Sequence, residues 1–386
     1  MSCAEGCSAM IVEQLCWTTA EGWMVVRGDG RAEADLVLVF GATHALADET
    51  AIAAVRDRYP GAIIVGCSSA GEILDTRVLD ETLVATAIAF EATSIRTAVA
   101  SINAHTSEAT GRRLAEQLDD PALAHVFVLS EGLNVNGSNL VRGLTAALPS
   151  HVVVTGGLAG DGDRFVTTNV LAEGEARGGV VTAVGLYGDR IRVGHGSFGG
   201  WDPFGPDRLI TRSEGNVLYE LDGEPALDLY KRYLGDYAAD LPHSGLLFPL
   251  SLVADGSDTG LVRTILAVDE QAHSLTFAGD VPQGMYCRLM KANFSRLIDG
   301  ATEAAAGCAA SLRNATPQVA ILISCVGRKL ILKQRVEEEV ESVRAVLGPA
   351  VALAGFYSYG EISPFTPSAR CELHNQTMTV TTWTEV

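Results

Sequence analysis

The chain has 386 residues, of which 47% are hydrophobic, and it carries 28 basic against 47 acidic side chains, a net charge of −19. Such a chain can bury a sizeable core, while its negative charge repels phosphate backbones and anionic lipid surfaces. We therefore expect no nucleic-acid or membrane partner. No apolar run is long enough to cross a bilayer, and the N-terminus lacks the basic start of a secretory signal, so we expect a cytoplasmic protein.

A strand-helix-strand unit that ends in a glycine-rich or serine-rich turn is written three times. Its opening strands are predicted at 36–40, 125–129 and 319–324, its helices at 48–59, 139–148 and 329–347, and its turns at 66–73, 156–162 and 355–362. Each opening strand precedes its turn by roughly thirty to thirty-six residues, a spacing typical of one strand-helix-strand unit. Because comparable turns follow comparable strands, we expect the three turns to converge on one site.

Strands, not helices, are predicted after each turn. They lie at 83–90 and 94–102, at 165–171, 180–187 and 191–195, and at 376–383. This order departs from the nucleotide-binding pattern, in which the glycine turn opens a helix. We therefore predict an α/β fold of mixed β-sheets with packed helices, built from repeated strand-helix-strand-meander units in two domains.

The predicted domain boundary lies close to Asp222, after a turn-rich stretch at 196–206 and before a short helix that ends at Leu234. We predict an N-terminal extension with a first strand at 1–34, one domain at 35–222 and a second at 223–386. Within the second domain, 286–312 is predicted as one helix with an alanine-rich second half. Such small residues favour close helix packing, either inside the protein or across a homodimer.

The turn residues have both a functional and a structural interpretation. As a ligand site, backbone amides and serine hydroxyls could hold a carboxylate, while the acids suit an amino group or a cation. As structure, the glycines permit tight reversals and the acids cap neighbouring amides. The candidate ligand-binding residues are Cys67, Ser68, Ser69, Glu72, Gly156, Gly157, Asp161, Tyr357, Ser358 and Glu361.

Catalytic motifs are incomplete. The segment 66–71 resembles a nucleophile elbow, but Ala70 stands where the second glycine is needed, and a strand follows instead of a helix. The segment 156–162 fits neither a dinucleotide fingerprint nor a phosphate loop, and the chain has no His-Glu-x-x-His run. We expect no enzyme, with a Cys/Ser-dependent hydrolase as a lesser alternative.

The eight cysteines are scattered, as expected for reduced, packed thiols. Cys3, Cys7 and Cys16 cluster near the N-terminus, but they lack the paired two-residue spacing of a zinc site. Their role stays open.

Four segments, 66–73, 216–226, 355–364 and 373–379, together resemble the FIST sensory family, whose two halves are called the FIST N and FIST C domains. The resemblance runs from about Asp35 to the C-terminus. It implies a bacterial sensory module that binds a small ligand and passes the signal to kinases, cyclases or chemotaxis components. With no such segment attached, the expected output acts in trans on a partner, a histidine kinase or a cyclic-dinucleotide enzyme.

Stand-alone members similar to this chain include nitric-oxide-sensing hemoproteins that regulate a histidine kinase, so the resemblance implies heme b as a cofactor. Without an attachment motif, heme would be held by an axial side chain and an apolar pocket. The axial candidates are His195, whose flanking glycines leave space for a flat ligand, and His374, in the family segment. Each could instead be a hydrogen-bonded structural residue. The alternative is an iron-free sensor of an amino acid or similar metabolite.

The other histidines are weaker candidates. His44 follows the first strand and could face the mouth of a pocket. We expect surface or loop positions for the remaining five, His105, His125, His151, His243 and His273.

Overall fold

Three repeated units form most of the structure, a computed structural model that describes residues 10–30, 33–254, 257–312, 315–365 and 369–386. The first unit consists of β1 (Ile11–Thr18), β2 (Gly22–Arg27), β3 (Leu36–Gly41), α1 (Thr43–Leu46), α2 (Glu49–Arg58), β4 (Ile63–Ser68), β5 (Glu72–Leu74), β6 (Arg77–Leu79) and β7 (Leu83–Ala89). The second consists of β8 (Ser94–Ser101), α3 (Ser107–Leu118), β9 (Leu123–Ser130), α4 (Gly137–Ala147), β10 (Val153–Leu158), β11 (Val170–Ala172), β12 (Glu175–Arg177) and β13 (Val180–Tyr187).

The third unit is interrupted by an inserted lobe. The unit opens with β14 (Ile191–Phe198), and the lobe follows with β15 (Asp202–Glu214), β16 (Val217–Leu221), β17 (Glu224–Pro225), α5 (Ala226–Leu234), two 3-10 turns (Gly235–Asp240 and His243–Leu247), β18 (Leu250–Ala254), β19 (Ser257–Arg263), β20 (Ile265–Asp269), β21 (Ser274–Phe277) and β22 (Tyr286–Lys291). The unit then resumes with α6 (Phe294–Ser311), β23 (Val319–Cys325), α7 (Val326–Leu332), a 3-10 turn (Lys333–Arg335), α8 (Val336–Leu347), β24 (Ala352–Ser358), β25 (Gly360–Pro364), β26 (Cys371–His374) and β27 (Met378–Glu385).

Each unit builds the same four-strand arrangement. Two parallel strands pair side by side, the last strand of the unit runs antiparallel to the first of them, and the opening strand of the unit pairs with that last strand. From one side of the sheet to the other, the strand order is β4-β3-β7-β1 in unit one, β10-β9-β13-β8 in unit two and β24-β23-β27-β14 in unit three. The predicted mixed sheets and repeated units are confirmed.

The units exchange strands in a cycle. The strand that follows the turn of unit one, β5, pairs with β24 of unit three; β25 of unit three pairs with β10 of unit two; and β11 of unit two pairs with β4 of unit one. We call these three units, without the lobe, the frame. Each unit thus adds a strand to the sheet of its neighbour. Because of this exchange, the three repeated turns meet at the centre of the frame.

Side chains from all three units share one core. The rings of Phe40 and Phe356 lie 4.6 Å apart, and Trp383 meets Phe127 edge-on at 5.6 Å. All four are buried. Burial of each such side chain contributes about 2 kcal/mol, so the sheets are held together by apolar packing as well as by strand pairing.

Side-chain caps fix where three of the frame helices, α2, α4 and α6, begin. The Asp48 carboxylate accepts hydrogen bonds from the amides of Thr50 and Ala51 at the start of α2. Asn136 caps α4 and Asn293 caps α6 in the same way. Such caps satisfy amides that would otherwise lack partners, and each contributes about 1 kcal/mol.

Three predicted elements were wrong in extent. The single helix over 286–312 is instead β22 followed by α6, because the first residues pair with β15 and β18 and Asn293 caps a new helix. The helix over 329–347 is broken by the 3-10 turn, where Lys333 has a φ of 51°. The strand over 165–171 begins only at Val170.

The lobe is a sheet in the order β19-β18-β22-β15-β16-β21-β20, with α5 packed against it. Asp222, where we predicted the domain boundary, lies between β16 and β17 inside this lobe. The domain ranges stay a prediction.

Candidate functional site

The three repeated turns meet at the centre of the frame. One backbone amide of each turn donates a hydrogen bond to a carbonyl of the next turn, which closes a ring. The bonds run from Ala70 to Tyr357 at 2.8 Å, from Tyr359 to Leu158 at 3.3 Å and from Gly160 to Ser68 at 2.9 Å. The predicted candidates at 67–72, 156–161 and 357–361 are therefore brought together.

Glu72 and Glu361 occupy equivalent places and have matching partners. Ser69 donates to Glu72, which also accepts from the amide and hydroxyl of Thr82 at 3.2 and 2.7 Å. Glu361 accepts from Ser358 at 2.6 Å and from the amide and hydroxyl of Thr377 at 3.2 and 2.9 Å. Both acids are thus satisfied within the protein.

Burial dominates the protonation of these two acids. Desolvation raises the pKa of Glu72 to about 7 and that of Glu361 to about 8, although the hydroxyl and amide donors oppose the rise. Each carboxyl group therefore titrates near neutrality.

Asp161 plays the corresponding part in the second turn by a different geometry. Its carboxylate accepts from the amides of Phe165, Val166 and Thr167, each at 2.9 Å, and from the hydroxyl of Tyr359. These bonds hold 165–167 as a loop, which explains why the predicted strand there was wrong. Asp161 is 1% exposed, and its partners all belong to the protein.

The glycines at the turns allow backbones to approach closely. A Cβ atom at Gly66, Gly156 or Gly355 would lie 1.9, 1.9 or 1.8 Å from a carbonyl oxygen of the adjacent strand, and one at Gly157 would lie 2.8 Å from Ile323. The space that these glycines create is filled by protein. All ten predicted ligand-binding residues are buried, and none lines the three cavities described below.

The largest of these cavities lies where the lobe meets the frame. Its volume is about 640 Å³, and its wall comes from α4, from β18 and β19 of the lobe, from the segment around Asp280, and from β26. Val141, Leu252 and Leu373 supply apolar surface, and Arg263 supplies a charge. We call it the junction cavity. The size and the mixture of apolar and charged walls are typical of small-ligand sites.

Two smaller cavities lie elsewhere. One, of about 270 Å³, is lined by residues 198–201, Met290 and Arg296, on the other face of the β18-β19 pair. The other, of about 550 Å³, lies near the C-terminus beside Gln318 and Glu385. Arg296 is paired with Asp202 at 3.2 Å, and Glu385 accepts from Thr93 and its neighbours, so these two charged groups already have partners.

Arg263 is the buried charge of the junction cavity. It is 4% exposed, its Nε donates to the Asp280 carbonyl at 2.8 Å, and its Nη1 donates to the carbonyls of Leu373 at 3.0 Å and Val262 at 3.3 Å. Burial lowers its pKa to about 10, so the guanidinium remains charged at neutral pH. It joins the lobe to β26 of the frame.

His374 also lines this cavity, but its ring is engaged. Nε2 lies 2.8 Å from the Ser363 carbonyl, and Nδ1 is buried without a hydrogen-bond partner among the described residues. Burial lowers the pKa of His374 to about 4, so the ring is neutral. An Nε2–H that donates to Ser363 leaves the only lone pair on the enclosed Nδ1, which a ligand in the cavity does not reach.

His195 lies in β14, and its flanking glycines serve a helix. A Cβ at Gly196 would lie 2.0 Å from the Ala304 carbonyl oxygen, and one at Gly194 would lie 2.8 Å from that of Cys308. These glycines let α6 lie directly against β14, so the space that we assigned to a flat ligand is filled. Because side chains alternate along a strand, His195 points away from α6.

Two further assignments were wrong. His125, predicted at the surface, is fully buried and bonds Thr155 at 3.0 Å. The charged run 335–339 has the sequence pattern of a solvated helix face, which predicts an exposed Glu339, but Glu339 is fully buried and pairs with Arg328 at 2.8 Å. His44, His105, His151, His243 and His273 are partly or fully exposed.

The six cysteines that the structure describes are buried free thiols. Cys67 is fully buried, and desolvation holds its pKa well above the usual thiol range. Cys16 is buried in β1, whereas Cys3 and Cys7 lie outside the described residues. Within the described part of the chain, no three His, Cys, Asp or Glu side chains are grouped as metal ligands, and no helix is long and apolar enough to span a membrane.

Sequence reasoning missed Arg263 and Asp280. The available signal was an arginine within a mostly apolar run, Leu261-Val262-Arg263-Thr264-Ile265. A charged residue in an apolar strand must find a partner or a cavity, because an isolated buried charge is costly.

Comparison with known proteins identifies two family domains in this chain. The FIST N domain matches residues 35–224, and the FIST C domain matches residues 226–364. Two proteins of Mycobacterium tuberculosis, from different strains and both named as uncharacterized, are 25% identical over 354 residues, covering 87% of this chain and 88% of theirs. A solved structure described as cyanuric acid hydrolase covers 98% of this chain and is itself covered completely, but its TM-score of 0.29 and identity of 8% support no functional argument.

Proposed function

Since the chain belongs to the FIST family, a family of signalling sensors, we propose that it binds a small ligand in the cytoplasm and regulates a partner signalling enzyme in trans. The proposed partner is a histidine kinase, and a cyclic-dinucleotide enzyme is the alternative. Support for either partner comes from the family resemblance alone.

The junction cavity is the observation that carries the proposal. A ligand in it would contact β19 of the lobe together with α4 and β26 of the frame. Binding that favours one arrangement of lobe and frame shifts the population toward that arrangement, and a partner surface can read the change. The turn cluster, where we predicted the ligand, supports this role less well because its polar groups are buried and bonded to one another.

The ligand we propose is an iron-free metabolite. The cavity carries both signs of charge, since Arg263 and Arg370 line it together with Glu372. An amino acid or similar molecule presents both a carboxylate and an ammonium group, and the apolar wall suits a side chain.

The heme-based form of the sensor, with heme b and nitric oxide as signal, is the second candidate. His374 favours it by lining the largest cavity, but Nε2 is engaged by Ser363 and Nδ1 is enclosed. His195 borders none of the three cavities, and α6 occupies the glycine side of its strand. The residues present therefore do not fit an axial heme site.

We propose that the protein is not an enzyme. A Cys/Ser-dependent hydrolase would need an accessible nucleophile, but Cys67 and Ser68 are fully buried, and the Ser68 hydroxyl accepts a hydrogen bond from the Asn169 backbone amide at 2.9 Å. The raised pKa of Cys67 keeps the thiol protonated and therefore weakly nucleophilic.

Thermal unfolding against a metabolite panel tests the proposal. A ligand that binds the folded protein raises the Tm with concentration, and Thr145→Trp, which fills the junction cavity from α4, abolishes the rise. Thr302→Trp is the matched control, because both threonines are half-buried in helices and donate to the carbonyl four residues earlier.

The outcomes separate the two candidates. A Tm rise that survives Thr145→Trp would remove the junction cavity from the account. A heme titration that gives a saturable Soret band, shifted by nitric oxide and lost in His374→Ala, would favour the heme-based form.

A further inference from the structure

The charge of Arg263 is not neutralised by an ion pair within the described residues. Its Nε and Nη1 donate only to backbone carbonyls, and its Nη2 makes no hydrogen bond to any described residue. The side chain lines the junction cavity while being 4% exposed. A buried guanidinium without a counter-charge is costly, so a polar partner is missing from this place.

The nearest acids do not supply that partner. The Asp280 carboxylate accepts from Asn136 at 2.9 Å and from Arg142 at 2.8 Å, and it offers Arg263 only its backbone carbonyl. Glu372 lines the cavity but is exposed. The negative charge of Glu372 favours the charged form of Arg263 and so raises its pKa, but no hydrogen bond joins the two side chains among the described residues.

The rest of the cavity wall indicates what kind of molecule would carry the group that binds Arg263. Beside the guanidinium, the cavity has an apolar wall that comes from Val141, Leu252, Leu261, Met285 and Leu373. A guanidinium presents a planar fork that suits carboxylate and phosphate oxygens, whereas this surface suits carbon. A small inorganic ion would leave most of the roughly 640 Å³ volume unfilled.

We propose that the junction cavity is an anion-recognition site in which Arg263 binds the carboxylate or phosphate group of a small organic molecule whose apolar body packs against α4 and β18. This inference rests on the proposed sensor function and specifies its ligand class. Because Arg263 also donates to the Leu373 carbonyl of β26, an anion on its Nη2 would act at the contact between lobe and frame.

Calorimetric titration with benzoate, benzamide and inorganic phosphate tests the proposal. Benzoate and benzamide share an apolar ring and differ in charge, so wild-type protein should bind benzoate at least about tenfold more tightly than benzamide. Arg263→Met should remove that preference while retaining benzamide binding. Arg263→Lys, which keeps the charge without the fork, should fall between the two.

Arg296→Met is the matched control, because Arg296 lines the 270 Å³ cavity and is already paired with Asp202. It should leave the benzoate affinity unchanged. Inorganic phosphate should bind more weakly than benzoate if the apolar body contributes. Equal or tighter phosphate binding would contradict that part of the assignment.

The proposal is overturned if wild-type protein does not prefer benzoate to benzamide, or if Arg263→Met and Arg263→Lys both retain wild-type affinity for benzoate. The anion-recognition proposal can fail in this way while the sensor proposal stands. That is the case if a metabolite still raises the Tm of the wild-type protein but not that of Thr145→Trp. If the wild-type protein shows neither a preference for benzoate nor a Tm rise that Thr145→Trp abolishes, the junction cavity is rejected as a ligand site.

Discussion

The turn cluster and the junction cavity treat buried polar groups in opposite ways. In the cluster, Glu72, Asp161 and Glu361 have their oxygens satisfied by neighbouring hydroxyls and amides. In the cavity, Arg263 keeps an unused donor and no ion pair within the described residues. A satisfied network specifies a structure, whereas an unsatisfied buried charge beside a cavity indicates a ligand.

This contrast reassigns the repeated turns. Three equivalent motifs at one centre resemble a binding site in sequence, but the exchange of strands between units gives them a structural task. The lobe, which breaks the repeat, supplies the buried arginine and part of the apolar wall of the junction cavity. Function is therefore expected at the junction with the insertion.

The largest expected loss of stability comes from a substitution at a turn glycine, where two strands approach closely. In Gly156→Ala, the new Cβ would lie 1.9 Å from the Val128 carbonyl oxygen, so the strands must separate. We expect a loss of about 4 kcal/mol or more in the free energy of unfolding, measured by urea denaturation.

Gly307→Ala is the control for that substitution. Gly307 lies in α6, and a Cβ there would meet no atom closer than 4.0 Å. Because alanine favours a helix over glycine, this variant should gain up to about 1 kcal/mol. Equal stabilities for the two variants would contradict the packed character of the turn cluster.

The next effect concerns the ion pair behind the turns. Arg328 and Glu339 are both fully buried, and Glu339 also accepts from the turn residue Tyr357 at 2.6 Å. Arg328→Met leaves that carboxylate without its cation and should cost about 3 to 5 kcal/mol. The double variant Arg328→Met/Glu339→Gln should recover part of the loss. Equal losses in chemical denaturation of the single and double variants would contradict this assignment.

A pH series tests whether the two turn acids are held neutral. The folded-state pKa values of about 7 for Glu72 and about 8 for Glu361 lie above their usual value of 4.5, so the folded protein binds these protons more tightly than the unfolded chain. This stabilisation is complete below pH 4.5 and is lost as the pH rises through 7 and 8, by up to about 3 kcal/mol for Glu72 and about 5 kcal/mol for Glu361.

Glu72→Gln/Glu361→Gln removes both titrations. Compared with this double variant, the wild-type free energy of unfolding should decline more steeply between about pH 5 and pH 8. Parallel pH profiles for the two proteins would show that the acids are not held neutral in the folded state.

The smallest expected effect is at Arg263. Its guanidinium has no ion pair to lose among the described residues, and the cost of burying its charge offsets much of the gain from its carbonyl hydrogen bonds, so Arg263→Met should change the free energy of unfolding by only about 1 kcal/mol. The comparison with Arg328→Met is direct, because both arginines are buried. Similar losses in urea denaturation for the two variants would remove the distinction between cluster and cavity.

The repeated units could be predicted from sequence because each apolar strand and its helix follow local patterns. The opening strand at 36–40 and the turn at 66–73 are both where the sequence places them. The exchange of β5, β11 and β25 could not be predicted, since pairing between distant short strands leaves no local signal.

Burial of charge was the main source of error at the candidate site. Glu339 follows two other glutamates and has the pattern of a solvated helix face, yet Arg328 holds it inside the protein. Likewise, the glycines beside His195 gave the same signal for a helix as for a ligand. Only the three-dimensional contacts distinguish these alternatives.

A crystal structure of the protein soaked with benzoate tests the central claim most directly. The account predicts density for benzoate in the junction cavity, with its carboxylate on Nη2 of Arg263 and its ring against Val141 and Leu252. Density at the repeated turns, between Ser69 and Ser358, with an unfilled junction cavity, would contradict it.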